Sequence, residues 1–244
     1  MKQVFVNEPL ELNTSIMLNE KEAHHLFDVL RIQKKETIRV VNHQQQVFLA
    51  HPENRPYLHL YSEVEVMRKD EQITLCAALI KADKFEWMLQ KACELGVSRI
   101  VPFEARYSVV HIDKNKEKKK LERWSQIVLN ACKQCNRTDL VEITPIQSVD
   151  TLHQYKSECN LVAYEKEGGS NHICKYLESN PKSITFCIGP EGGFDINEID
   201  MLMDDQFQAC NLGNRILRAE TAAMYVLSSI SYQRAMEERK KNEV

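Results

Sequence analysis

The residues best suited to chemistry in this 244-residue chain stand on two short strings in its last third. The first is Ile188-Gly189-Pro190-Glu191-Gly192-Gly193-Phe194; the second is Leu212-Gly213-Asn214-Arg215-Ile216-Leu217-Arg218, followed by Ala219-Glu220. Only seven glycines occur, none before Gly96 and six between Gly168 and Gly213. Glycine costs backbone entropy and is kept where φ must be positive or a backbone must come close to a neighbour. Its concentration in the two strings points to loops shaped around a ligand, with a pair of tight turns as the plainer alternative. Neither string is G-x-G-x-x-G or G-x-x-x-x-G-K-[ST], which disfavours dinucleotide and P-loop phosphate binding. Arg215 and Arg218 at the mouth of such a cleft suit stabilising a developing anion or gripping a phosphate. With Glu220 they could equally form an ion-pair network that caps a helix.

Other chemistries find less support. There is no G-x-S-x-G, and no cysteine has an evident histidine partner, so a nucleophile–base pair is not apparent. The eight histidines form no metal-spaced cluster, so no metal is expected. The eight cysteines are scattered in apolar contexts such as Leu75-Cys76-Ala77 and Phe186-Cys187-Ile188, as reduced core thiols are. The single C-x-x-C, Cys132 to Cys135, lies in a helical pattern without a second pair and reads as packing. His24 and His25 read as ordinary surface or core residues, while Arg31 could contact a phosphate.

Composition, with 43% hydrophobic and 27% charged residues, is that of a water-soluble globular protein. No apolar run approaches the roughly 20 residues that span a bilayer, and Met1–Glu8 lacks the features of a secretory leader. A cytoplasmic protein without membrane contact is expected. The formal net charge of −3 argues only weakly about nucleic acid, but its distribution is uneven. Residues 81–137 hold 13 basic against 7 acidic side chains, while 138–244 hold 10 against 17. The middle band is thus the candidate footprint for a polyanion, although Lys116-Glu117-Lys118-Lys119-Lys120 could be a solvated helix start.

The elements that must position these residues change character along the chain. The first seventy residues predict short strands at Gln3–Val6, Ile16–Leu18, Thr37–Val41, Val47–Ala50, Tyr57–Tyr61 and Ser62–Met67. One helix interrupts them, with Asn19 as N-cap, Glu22 completing a capping box, and Ala23, Leu26, Phe27 and Leu30 on one face. After Met67-Arg68-Lys69-Asp70-Glu71, Ile73–Ile80 is an unbroken apolar run, as in a strand buried on both faces. Helices at Lys84–Leu95 (stopped by Gly96), Lys116–Cys135, Ile173–Ser179, Asn197–Asp204 and Ala219–Glu238 then alternate with strands. Those strands are Arg99–Pro102, Val141–Thr144, Asn160–Tyr164, Ser183–Ile188 and Gln208–Asn211. The alternation predicts an α/β fold with a mostly parallel sheet covered on both faces, joined near residue 71 to a small β unit. Both glycine strings then follow strands, at the carboxyl ends where open α/β sheets bind ligands.

Nearly end to end, the chain resembles the RsmE family of ribosomal RNA small-subunit methyltransferases, within the knotted SPOUT superfamily. The resemblance rests on His25-Leu26-Phe27-Asp28-Val29-Leu30-Arg31, Gln90-Lys91-Ala92-Cys93-Glu94-Leu95-Gly96-Val97, Ala131-Cys132-Lys133-Gln134-Cys135-Asn136-Arg137, Ile188–Phe194 and Leu212–Ala222. It departs from the family pattern at Lys35, where a glycine is usual, at Gln3, often arginine, and at Lys133, usually an acid. The resemblance implies a PUA-like RNA-binding β-barrel over 1–71 and a SPOUT domain with a C-terminal trefoil knot over 72–244. It further implies a homodimer that binds S-adenosyl-L-methionine and methylates N3 of one uridine of 16S rRNA in the small ribosomal subunit. On that basis Tyr164, Ile188, Gly189, Pro190, Gly193, Leu212, Gly213, Ile216, Leu217 and Arg218 are expected to bind the cofactor. Arg215 is expected to stabilise charge, with Glu191 and Glu220 as candidate bases. Arg31, Lys81, Lys84, Lys91, Arg106, Gln134 and Arg137 are expected on RNA. The alternatives are a noncatalytic RNA-binding or ribosome-assembly module, and a SPOUT methyltransferase of another RNA such as tRNA.

Overall fold

The computed structural model describes residues 1–66, 71–168 and 170–242. Beside the junction expected near residue 71, Met67–Asp70 lie outside the described residues, as does the end of the strand expected at Ser62–Met67. The chain divides into two units, Met1–Lys69 with Cys132–Leu140, and Asp70–Ala131 with Val141–Val244.

The first unit carries β1 (Lys2–Val6), β2 (Ser15–Met17), α1 (Glu20–Ala23) running into a π-helical turn at His24–Val29, β3 (Ile38–Asn42), β4 (Val47–Pro52) and β5 (Tyr57–Val64). Its sheet runs in the order β1-β3-β4-β5-β2, with β1 and β3 parallel and the other neighbours antiparallel. Alternating residues such as Val4, Ile38, Val40, Leu58 and Leu60 supply its core together with Ala23 and Leu26. Three expectations change here. The strands expected at Tyr57–Tyr61 and Ser62–Met67 are one strand, whose pairing with β4 shifts register between Leu49 and Ala50. Asn19 does cap α1, accepting the Glu22 N–H at 2.9 Å. The Glu22 carboxylate, however, accepts from Lys133 Nζ at 2.6 and 2.8 Å instead of closing a capping box. Finally, the Leu30 N–H reaches back five residues to the His25 carbonyl. That wider winding leaves Leu30 39% exposed and off the buried face.

Cys132–Leu140, expected in the larger domain, also belongs to this first unit. Gln3 Nε2 donates to the Arg137 carbonyl at 2.6 Å, and Lys133 is held by Glu22. Two of the positions that depart from the family pattern, Gln3 and Lys133, therefore anchor the same segment.

The second unit carries β6 (Gln72–Ala78), α2 (Ala82–Glu94), β7 (Arg99–Glu104), α3 (Lys114–Gln134, all but its last three residues), β8 (Glu142–Ile143), β9 (Gln147–Ser148), β10 (Cys159–Ala163), α4 (Ile173–Leu177), β11 (Ser183–Ile188), α5 (Ile196–Asp204), β12 (Gln208–Cys210) and α6 (Ala219–Asn242). The sheet order is β12-β10-β11-β6-β7-β8, with β9 also beside β7, and every pairing is parallel. The central strands β6 and β11 are buried along nearly their whole length, so both faces are covered. Gly96, at φ +91°, ends α2 as expected, and the Val97 N–H returns to the Ala92 carbonyl. The sequence reading missed β9 and the 3₁₀ turns at Val149–Tyr155, both too short to carry a periodic signal. Among the described residues no helix is long and apolar enough to cross a membrane.

Candidate functional site

Register brings the site together. Ala163 on β10 lies beside Ile188 of β11 on one side and Cys210 of β12 on the other. Three parallel strands therefore end level, and the chain leaves them as Tyr164, Gly189 and Asn211. These three exits wall a cavity of about 560 Å³, within the size range of nucleoside-like ligands. Tyr164, Ile188–Phe194, Leu212–Leu217, Ala219 and Ala222 all line it. Both glycine strings thus face one hollow. The Tyr164 N–H donates to the Cys210 carbonyl at 3.0 Å, which ties the exits of β10 and β12, and the Gly213 N–H donates to Asn211 Oδ1 at 3.2 Å within the exit of β12.

The glycines are explained mostly by the protein's own packing. A Cβ built on Gly189 would sit 2.9 Å from the Phe194 ring, and one on Gly192 2.8 Å from Tyr107 Cβ. Gly193 and Gly213 have φ of +73° and +104°, which side chains rarely adopt. The close approach inferred from the sequence is therefore, at Gly189 and Gly192, an approach to neighbouring side chains. A turn closed by Gly193 N–H on the Pro190 carbonyl at 2.9 Å completes the loop.

The charged groups sort into engaged and free. Among the described residues, Glu165, Glu167 and Glu191 line the cavity against one cation, Arg215, so that lining is net negative. Arg215 and Arg218 are exposed, and neither side chain has a hydrogen-bond or ion-pair partner among the described residues, although the Arg218 carbonyl accepts the Ala222 N–H at 2.8 Å. Arg218 and Glu220 do not line the cavity, and Ile216 at its edge is 87% exposed. Glu191 Oε1 accepts the Lys81 backbone N–H at 3.5 Å, the limit of a hydrogen bond. Glu220 Oε1 lies 3.7 Å from Lys84 Nζ, and its other oxygen is buried without a hydrogen-bond partner among the described residues.

The residues expected on RNA fall in both units. Arg31 and Gln134, in the first, are exposed. Arg137, in the same unit, has its guanidinium on Asp139 and a side chain only 12% exposed. In the second unit, Lys81 is exposed, Lys84 pairs with Glu220, Lys91 with Glu94 at 2.8 Å, and Arg106 with Asp195 at 3.4 Å. Sequence reasoning missed Glu165, Glu167 and Asn211, which carry no motif signal. It also missed Asp195 and Glu198, whose D-x-x-E spacing was a legible capping box at the start of α5. Among the described residues no group of three or more His, Cys, Asp or Glu could hold a metal ion.

The same architecture recurs in known proteins. Residues 67–231 match a family model described as an RNA methyltransferase domain. The ribosomal RNA small subunit methyltransferase E of Bacillus subtilis is 32% identical, over 96% of this chain and 97% of its own length. The protein of that name from Mesomycoplasma hyopneumoniae is 33% identical, over 93% and 98%. A Neisseria gonorrhoeae ribosomal RNA small subunit methyltransferase E, solved bound to S-adenosyl methionine, superposes with a TM-score of 0.85 at 25% identity, over 95% and 97% of the two chains. A domain match over most of the chain, joined to end-to-end identity with these relatives, means that the chain belongs to the ribosomal RNA small subunit methyltransferase E family.

Proposed function

We propose that this protein is an S-adenosylmethionine-dependent methyltransferase of 16S rRNA that modifies N3 of a uridine in the small ribosomal subunit. The observation that carries the reading is the single cavity shared by both glycine loops at the level ends of β10, β11 and β12. Relatives named as ribosomal RNA small subunit methyltransferases, one of them solved with S-adenosyl methionine bound, support the methyl transfer to small-subunit RNA. The residues present fit such a cofactor. The cavity has nucleoside dimensions, and three carboxylates against one guanidinium among its described lining residues favour a cationic ligand.

When bound, S-adenosylmethionine supplies a methyl group on a sulfonium. Tyr164, Ile188, Gly189, Pro190, Gly193, Leu212, Gly213, Ile216 and Leu217 would hold it, with Arg218 at the rim. The chain must also handle the proton and charge of uridine N3, which is protonated when neutral. Arg215, at the cavity wall and with no side-chain partner among the described residues, would stabilise negative charge spreading onto the carbonyl oxygens beside N3. Of the two candidate bases, Glu191 lines the cavity, whereas Glu220 holds Lys84. We assign the proton to Glu191 and a supporting role to Glu220. The uridine must be unpaired or extruded to present N3. Arg31, Gln134, Lys81 and Arg106 are the exposed groups left to contact RNA. The reading includes a PUA-like barrel in the first unit, a trefoil knot through the segment after β12, a homodimer and a cytoplasmic location.

The test is methyl transfer to small subunits lacking the modification, with the product mapped by mass spectrometry for wild type and Arg215→Ala. The expected result is one methylated uridine with wild type and turnover reduced at least about a hundredfold in the variant. A methyl group elsewhere refutes the substrate, and full turnover in the variant removes Arg215 from the chemistry.

A further inference from the structure

The loop that forms one wall of the cavity is held from outside by a segment that no motif marks. Beyond β7 the chain makes a turn at Ala105–Ser108, closed by the Ser108 N–H on the Ala105 carbonyl at 3.0 Å. In the sheet, β6 separates β7 from β11, so this turn reaches past β6 to meet the glycine loop. Tyr107 makes two contacts there. Its Cβ occupies the space a side chain at Gly192 would need, and its hydroxyl donates to Asp195 Oδ2 at 2.8 Å. Asp195 directly follows Phe194, the last residue of the loop, and its other oxygen accepts the Asn197 N–H at 3.0 Å to cap α5. Glu198 completes the clamp, accepting Asp195 N–H at 2.9 Å and Arg106 N–H at 2.8 Å. Within the loop itself, Phe194 lies against Gly189.

We propose that Tyr107 is a positioning residue for the cofactor, its hydroxyl bond to Asp195 holding the Gly189–Phe194 loop in the shape that receives S-adenosylmethionine. The inference rests on the cofactor reading above. It also gives Arg106 a place on this clamp, through its backbone N–H and its guanidinium 3.4 Å from Asp195. The bond has an electrostatic signature: the Tyr107 hydroxyl foremost, then the Asn197 backbone N–H, hold the Asp195 carboxyl below its ordinary range.

Tyr107→Phe removes the hydroxyl and keeps the ring against Gly192. Calorimetry with S-adenosylmethionine on RNA-free protein, and steady-state kinetics on small subunits, read the effect. The expected result is an increase of about tenfold in Kd and in KM for the cofactor. The expected kcat at saturating cofactor and KM for the subunit stay within about twofold of wild type. Asp195→Asn in the Tyr107→Phe background should add little, because the shared bond is already lost. An unchanged cofactor Kd overturns the proposal, as does a rise confined to the KM for the subunit, which would make Tyr107 an RNA contact. Absence of binding heat from wild type would refute the cofactor reading itself, and the proposal with it.

Discussion

Substituting Gly193 by alanine separates a backbone requirement of the site from general stability. Gly193 sits at φ +73°, and an added Cβ would come within 2.9 Å of Glu165 Oε1. That contact is with the end of a flexible side chain and is relieved by a small rotation. The left-handed backbone is not relieved, and costs about 1–2 kcal/mol for an L residue. Loss of unfolded-state freedom returns about 0.4–1 kcal/mol to the folded state, so global stability should fall by no more than about 1.6 kcal/mol. Binding carries the larger penalty. The loop can shed its strain by leaving the observed shape, and a ligand that needs that shape must restore it, weakening affinity about 5- to 30-fold. The assay is calorimetric titration with S-adenosylmethionine beside a thermal melt. Gly96→Ala is the control: its φ is +91°, nothing lies within 4 Å of an added Cβ, and it ends α2 away from the cavity lining. It should lose stability and bind as wild type. Wild-type affinity in Gly193→Ala, with a loss of stability matching that of Gly96→Ala, would refute the claim that the observed loop is the binding shape.

Three other outcomes are expected. The Asp195 carboxyl is held low by Tyr107 first, so its stabilisation is complete above the ordinary carboxylate pKa of about 3.9 and is lost as pH falls through the lowered value. Tyr107→Phe should therefore move the acid-unfolding midpoint, followed by circular dichroism, to higher pH. Burial pushes the Cys159 thiol up to about 11 and Cys210 up to about 12. A maleimide at pH 8 should consequently label exposed Cys174 well before either of them, as peptide mass mapping will read. Lys133→Met leaves Glu22 without its ammonium partner in a pair whose side chains are 14% and 11% exposed. Chemical denaturation should show a loss of about 3 kcal/mol, largely recovered by adding Glu22→Gln.

Several features were legible in the chain because they depend on local rules. The unbroken apolar run at Ile73–Ile80, the alternation of strand and helix, and the stop at Gly96 required only neighbouring residues, and the parallel sheet bears them out. Placing both glycine strings after strands was enough to expect them at carboxyl ends. The errors follow the same logic. Glu22 stands three residues after Asn19, the spacing of a capping partner, but Lys133, more than a hundred residues away, competes for the same carboxylate and wins. Helical spacing sets Leu30 on the buried face with Leu26, but the π-helical winding turns it outward.

By itself, then, the sequence determined the strand–helix grammar and the family, since periodicity, glycine placement and motif spacing are written along the chain. Only the tertiary structure decided which loops share a hollow. That depends on β10 lying between β11 and β12 with Ala163, Ile188 and Cys210 level, and strand order is not a property of any stretch of sequence. Tertiary structure likewise decided why the glycines are glycines. Tyr107 and Gly192 are far apart in the chain, and only side-by-side packing at the end of the sheet leaves no room for a Cβ between them.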